Sequence, residues 1–128
     1  EDRVVFLQKM LKNYENQPFE HVLNRAIANL YLQQENDSVA LEYFNRSLES
    51  PSLDSYTEIE NFRDLAEYHF TNGAYLKSGG YLDKLLLLFD ESTSTYKKLK
   101  RKNKLFIHST LLVTKKAIIY QILRLFTV

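Results

Sequence analysis

The chain of 128 residues contains no cysteine and no tryptophan, and only three glycines and two prolines. Without cysteine, disulfide staples and thiolate metal sites are excluded, which fits a reducing compartment. So few glycines and prolines argue against a β-sandwich, whose many turns need both. Charge of one sign is lacking too. The formal net charge is +1, which gives no global drive toward nucleic acid or membranes. No signal peptide opens the chain, and the first residue is Glu1 rather than Met, so the sequence reads as a fragment of a longer protein. The stretch from Leu105 to Val128 is apolar and long, but it carries Lys115, Lys116 and Arg124. Each would cost roughly 2.5–3.5 kcal/mol at a bilayer centre, so a membrane span is rejected.

What remains is an ordinary apolar share of 45% and Leu, Lys, Glu and Ala recurring at helical spacing. The expectation is an all-α protein. The stretch RAIANLYLQQENDSVALEYFNRSL, Arg25 to Leu48, reads as two helices joined by a polar turn. Ala28 and Tyr31 share one stripe, and Ala40 and Phe44 another. The small alanines permit close approach and the aromatics fill the remaining space. QQENDS breaks the pattern and ends in Asp37 and Ser38, N-cap candidates for the second helix.

The pattern returns in LAEYHFTNGAYLKSGGYLDKLL. Ala28 matches Ala66, Ala40 matches Ser78, Phe44 matches Leu82, Leu48 matches Leu86, and Gly73 stands where Glu35 stood, each shifted by 38 residues. Periods of this length signal stacked helical units. The small and aromatic residues at Ala28, Tyr31, Ala40 and Phe44, and at Ala66, Gly73 and Ser78, resemble the tetratricopeptide (TPR) pattern over about half the chain. Departures are the longer spacing, His69 in place of an aromatic, and Leu82 in place of another. The resemblance implies antiparallel helical hairpins stacked as a right-handed superhelical array of about six to seven helices. It implies one repeat domain over 1–128, with copies at about 18–50 and 55–89 and a degenerate third unit at about 92–127.

Along the chain, Val4, Val5, Leu7, Leu11 and Tyr14 form a helical stripe ending near Asn16. Pro18 opens the next helix, as proline does at a first turn. ESPSLD is a linker in which Asp54 or Ser55 caps the following helix. Asn72-Gly73 forms a turn, glycine taking a left-handed C-cap. Gly79-Gly80 inside a helix is odd, and close packing of a neighbour is preferred over a kink. DESTST is another turn, with helix resuming at about Thr95. Leu99, Phe106, Leu112, Ile119, Leu123 and Phe126 mark the apolar side of that last run.

Chemistry is sparse. His21, His69 and His108 show no metal-ligand spacing and read as a helix-start, a core or groove, and a half-buried histidine. No nucleophile elbow, phosphate loop or zinc motif occurs, and no metal or cofactor is expected. Carboxylates such as Glu58 and Glu60 read as solvated helix faces. Lys97, Lys98, Lys100, Arg101, Lys102 and Lys104 form a basic run. It is read as an exposed helix face in preference to a nucleic-acid patch, because aromatics only flank it.

In TPR arrays the first helix of each unit lines an inner groove. Carried over, that face comprises Arg25, Asn29, Leu32 and Gln33 in copy one and Arg63, Glu67, Phe70 and Thr71 in copy two. Arg25 and Asn29 lie one turn apart, so Arg could hold a carboxylate and Asn backbone amides of an extended peptide. The acidic Glu60, Asp64 and Glu67 favour a peptide of mixed or basic charge. A looser similarity runs through ENFRDLAEYHFTNGAYLKSGGYLDKLLLLF and YKKLKRKNKLFIHSTLL to the C-terminal half of Rgg/PlcR-type peptide-sensing regulators of Gram-positive bacteria. This implies a non-enzymatic, cytoplasmic, peptide-sensing domain of a transcriptional regulator. A homodimer would form through the C-terminal helix, and DNA would be contacted only by a domain missing from this sequence. The alternatives are a generic TPR adaptor and a nucleic-acid-binding helical domain.

Overall fold

The computed structural model describes residues 2–89, 92–94, 97, 98, 100, 101 and 104. All regular structure among the described residues is helical: α1 (Asp2–Lys12), a 3-10 turn (Tyr14–Phe19), α2 (Glu20–Gln33), α3 (Asp37–Glu49), α4 (Ser55–Thr71) and α5 (Tyr75–Leu86). Five α-helices are therefore given in full, and the described residues Ser94, Lys97, Lys98, Lys100, Arg101 and Lys104 are helical as well. The larger number expected counted a third unit that falls mostly outside the described residues. Also outside them are Lys102 and the stretch 105–128, on which His108 and the expected dimer contact fall. Two compact units divide the chain, Glu1–Asn61 and Phe62–Val128, with α4 beginning in the first and continuing in the second.

In the first unit, α3 buries Ala40, Tyr43, Phe44 and Ser47, a stripe spaced three, one and three residues, as one face of a 3.6-residue helix requires. Facing it, α2 buries Leu23, Asn24, Ile27 and Ala28. Both alanines are fully covered, so the two backbones approach closely, and Phe44 fills the space beside them. Burying such a phenyl ring contributes roughly 1.5–3 kcal/mol. Of the α1 stripe only Val4 is buried, while Val5 and Tyr14 are exposed.

The α2–α3 turn follows from hydrogen bonding at the helix end. Glu35 adopts φ 60°. Its amide donates to the Leu32 carbonyl (3.0 Å), and the Asn36 amide donates to the Tyr31 carbonyl (2.9 Å). This is the Schellman arrangement, which satisfies carbonyls that a helix end would orphan. The α4–α5 turn repeats it. Gly73 has φ 77°, its amide donates to Phe70 (3.0 Å), and the Ala74 amide donates to His69 (2.8 Å). Every partner is shifted by 38 residues.

Ring contacts follow the same shift. Tyr31 stacks on Tyr43 with centroids 5.7 Å apart, and Arg46 lies over Tyr43 at 4.6 Å. In the second unit His69 stacks on Tyr81 at 5.6 Å, and Lys84 lies over Tyr81 at 5.1 Å. Histidine thus takes the role of the missing aromatic.

Four local expectations are corrected. Pro18 lies within the 3-10 turn, whose start is capped by Asn13 accepting from the Glu15 amide (3.0 Å), and α2 begins only at Glu20. The N-cap of α3 is Asn36, with Asp37 already helical, because the Schellman turn leads straight into the next helix. The second helix of copy two stops at Leu86 rather than near Phe89. The close packing expected at Gly79-Gly80 is not found at Gly80, where a Cβ would meet nothing within 4 Å among the described residues, whereas Gly79 is buried. Asp54 caps α4 as expected, accepting from the Thr57 amide at 2.8 Å.

Candidate functional site

Arg25, Asn29 and Gln33 recur every fourth residue on α2 and so share one face. Arg25 is largely committed to the protein itself. Its Nη1 donates to Asn61 Oδ1 (2.8 Å), and Nη2 lies 3.9 Å from Glu60 Oε2. Asn29 is half-buried and Gln33 exposed. Arg63, Glu67 and Phe70 form the matching face of α4, all three exposed, with Phe70 set against Tyr75 at 5.2 Å. Each trio thus lies along its own helix. Glu60 is half-buried beside Arg25 instead of lying on a solvated face.

Behind Arg25 runs a chain of polar groups that the sequence does not announce. Asn61 and Ser47 are fully buried. Arg25 donates to Asn61, Asn61 Nδ2 donates to Ser47 Oγ (2.8 Å), and Ser47 Oγ donates to the His21 carbonyl (2.7 Å). Each donor finds an acceptor, and α2, α3 and the start of α4 are tied together.

His21 is buried at the start of α2 and holds the α3–α4 loop. Its Nδ1 is 2.7 Å from Ser52 Oγ, its Nε2 is 3.5 Å from Asp54 Oδ2, and its amide donates to Ser52 Oγ (3.3 Å). The residue types are those of a nucleophilic triad. Here, however, Ser52 is held by both the ring and the backbone of His21, and Asp54 is occupied in capping α4. These contacts tie the α3–α4 loop to the start of α2. Asp54 titrates below the usual carboxylate range, chiefly because the Thr57 backbone amide stabilises its anion.

A polar cleft of about 340 Å³ opens elsewhere in the first unit, lined by Leu11, Glu20, Asn24, Arg46, Glu49 and Ser50. Sequence reading missed it because its residues come from α1, α2 and the end of α3.

The basic run behaves as an exposed face: Lys97, Lys98, Lys100, Arg101 and Lys104 are helical and exposed. Among the described residues there is no group of three or more His, Asp or Glu side chains placed to hold a metal ion. Nor is any described helix long and apolar enough to cross a membrane. No protein-family model matches the sequence, and comparison with curated proteins yields no match.

Proposed function

We propose that this chain is a non-enzymatic, peptide- or protein-binding helical-repeat module of TPR type. Its hairpins stack as a right-handed array, and the solvent-facing rows of α2 and α4, which line its inner groove, receive an extended ligand. The observation that carries this reading is the repetition of one hairpin at a 38-residue interval, down to its turn hydrogen bonds and its stacked ring pair. Repeated units of this kind present similar side-chain rows at regular intervals, which suits an extended peptide whose own groups repeat. Asn29 and Gln33 supply amide donors and acceptors, Arg63 and Glu67 supply charge, and Phe70 offers an apolar contact. Arg25 acts mainly by bracing α2 through Asn61, so its role at the ligand is indirect.

In the more specific form of the proposal, the module is the ligand-sensing and dimerising domain of a cytoplasmic bacterial transcriptional regulator, with DNA contacted by a separate domain. It rests on the loose resemblance of the sequence to Rgg/PlcR-type regulators. A peptide-array screen tests the binding role. Wild-type protein should capture a subset of peptides, and Asn29→Ala/Gln33→Ala and Glu67→Ala should each weaken capture at least about tenfold, roughly 1.4 kcal/mol. Equal capture by all three proteins would overturn the assigned face.

A further inference from the structure

At the cleft of the first unit the residues of copy one differ from those of copy two. Asn24, Glu49 and Ser50 stand 38 residues before Phe62, Leu87 and Leu88. In the second unit Phe62 lies against Tyr81 with centroids 6.1 Å apart, and Lys84 sits over its ring at 5.7 Å. In the first unit a smaller carboxamide replaces the ring, leaving a recess rimmed by polar groups.

Asn24 is only 3% exposed, and among the described residues its side chain makes no hydrogen bond. A buried carboxamide with neither donors nor acceptor satisfied costs folding free energy unless water or a ligand completes it. The charges around it are unequal. Arg46 is neutralised by Glu42 and lies over Tyr43, whereas Glu20 and Glu49 are in no ion pair among the described residues. Glu49 is the last residue of α3 and Ser50 its C-cap, so the negative end of that helix dipole adds to the Glu49 carboxylate, while Glu20 stands at the positive end of α2.

We infer that this cleft is a binding site for an organic cation, an ammonium or guanidinium group, held by Glu20 and Glu49 and accepted by the Asn24 side-chain oxygen. A planar guanidinium suits it best, since its fork of donors can serve a carboxylate and a carbonyl oxygen together. The site is separate from the solvent-facing rows of α2 and α4 and does not depend on peptide binding there.

The test is an NMR titration of the full chain with Nα-acetyl-L-argininamide, with the uncharged Nα-acetyl-L-norvalinamide as control and an arginine-containing peptide as a second arm. Argininamide should shift the amide signals of Glu20, Asn24, Glu49 and Ser50, with saturation that norvalinamide does not reproduce. Glu49→Gln should weaken it at least tenfold. Asn24→Leu should abolish it without lowering the melting temperature, because the substitution removes an unsatisfied polar group and the cleft has room for the larger side chain. Tighter binding of the peptide would assign the cation to a polypeptide side chain, and equal or weaker binding would assign it to a small free cation; both support the cation site. Signals that stay in place, a response equal to that of norvalinamide, or unchanged binding by Asn24→Leu would each overturn it.

Discussion

Glu35 and Gly73 occupy the same left-handed position in two successive hairpins, at φ 60° and 77°, and each closes its turn with the same pair of backbone hydrogen bonds. Only one of them has the residue that this conformation favours. A side chain in the left-handed region costs roughly 1–2 kcal/mol that glycine does not incur, partly offset by glycine's greater freedom when unfolded. Glu35→Gly should therefore raise stability by about 0.5–1 kcal/mol in urea unfolding, and Gly73→Ala should lower it by about 1 kcal/mol.

Gly80 differs from Gly73. It lies inside α5 with an ordinary backbone and open space where a Cβ would stand. Gly80→Ala should stabilise the protein by about 1 kcal/mol, read as a rise in the midpoint of thermal or urea unfolding.

The Arg25–Asn61–Ser47 chain predicts a larger effect. Asn61→Ala removes the donor to the buried Ser47 hydroxyl and one of the acceptors of Arg25. A loss of about 2–3 kcal/mol is expected by urea unfolding. Arg25→Ala should also destabilise, so any loss of ligand binding in that variant must be read against its own unfolding curve.

His69 should make stability depend on pH. Burial, with the Lys77 charge second, holds its ring below the ordinary histidine range, and Tyr81 and Tyr68 pack against it. The unfolded chain, with an ordinary histidine pKa of about 6.5, then binds the proton more readily than the folded one. Stability contributed by the neutral ring is present above that value and falls as pH drops below it. His69→Tyr, which installs the residue found at position 31, should keep the stack on Tyr81 and flatten this dependence between about pH 7 and 5. Asp54 acts lower: its anion is favoured in the fold, so its contribution is present above about pH 4 and is lost on further acidification.

The hairpins were legible in the sequence because they depend on local periodicity: alanines at Ala28 and Ala66, a turn at Glu35 and Gly73, a capping Asp54. The long-range polar groups were not. Asn61 is buried because Arg25 and Ser47, on two other helices, give it partners, and nothing in its own neighbourhood announces that. The Tyr31–Tyr43 and His69–Tyr81 stacks join residues twelve apart across a turn, a spacing that no single-helix pattern reports. Pro18 misled in the other direction. It suits a helix start, but the Asn13 cap builds a 3-10 turn around it first. Asn24 was invisible because its consequence is a recess, and a recess shows only when the other copy is laid beside it.

The role assigned to the solvent-facing rows of α2 and α4 is tested most directly by NMR mapping of a peptide captured in the array screen. The account predicts saturable shifts at Asn29, Gln33, Arg63, Glu67 and Phe70. Saturable binding that leaves those five signals in place and moves others would contradict it.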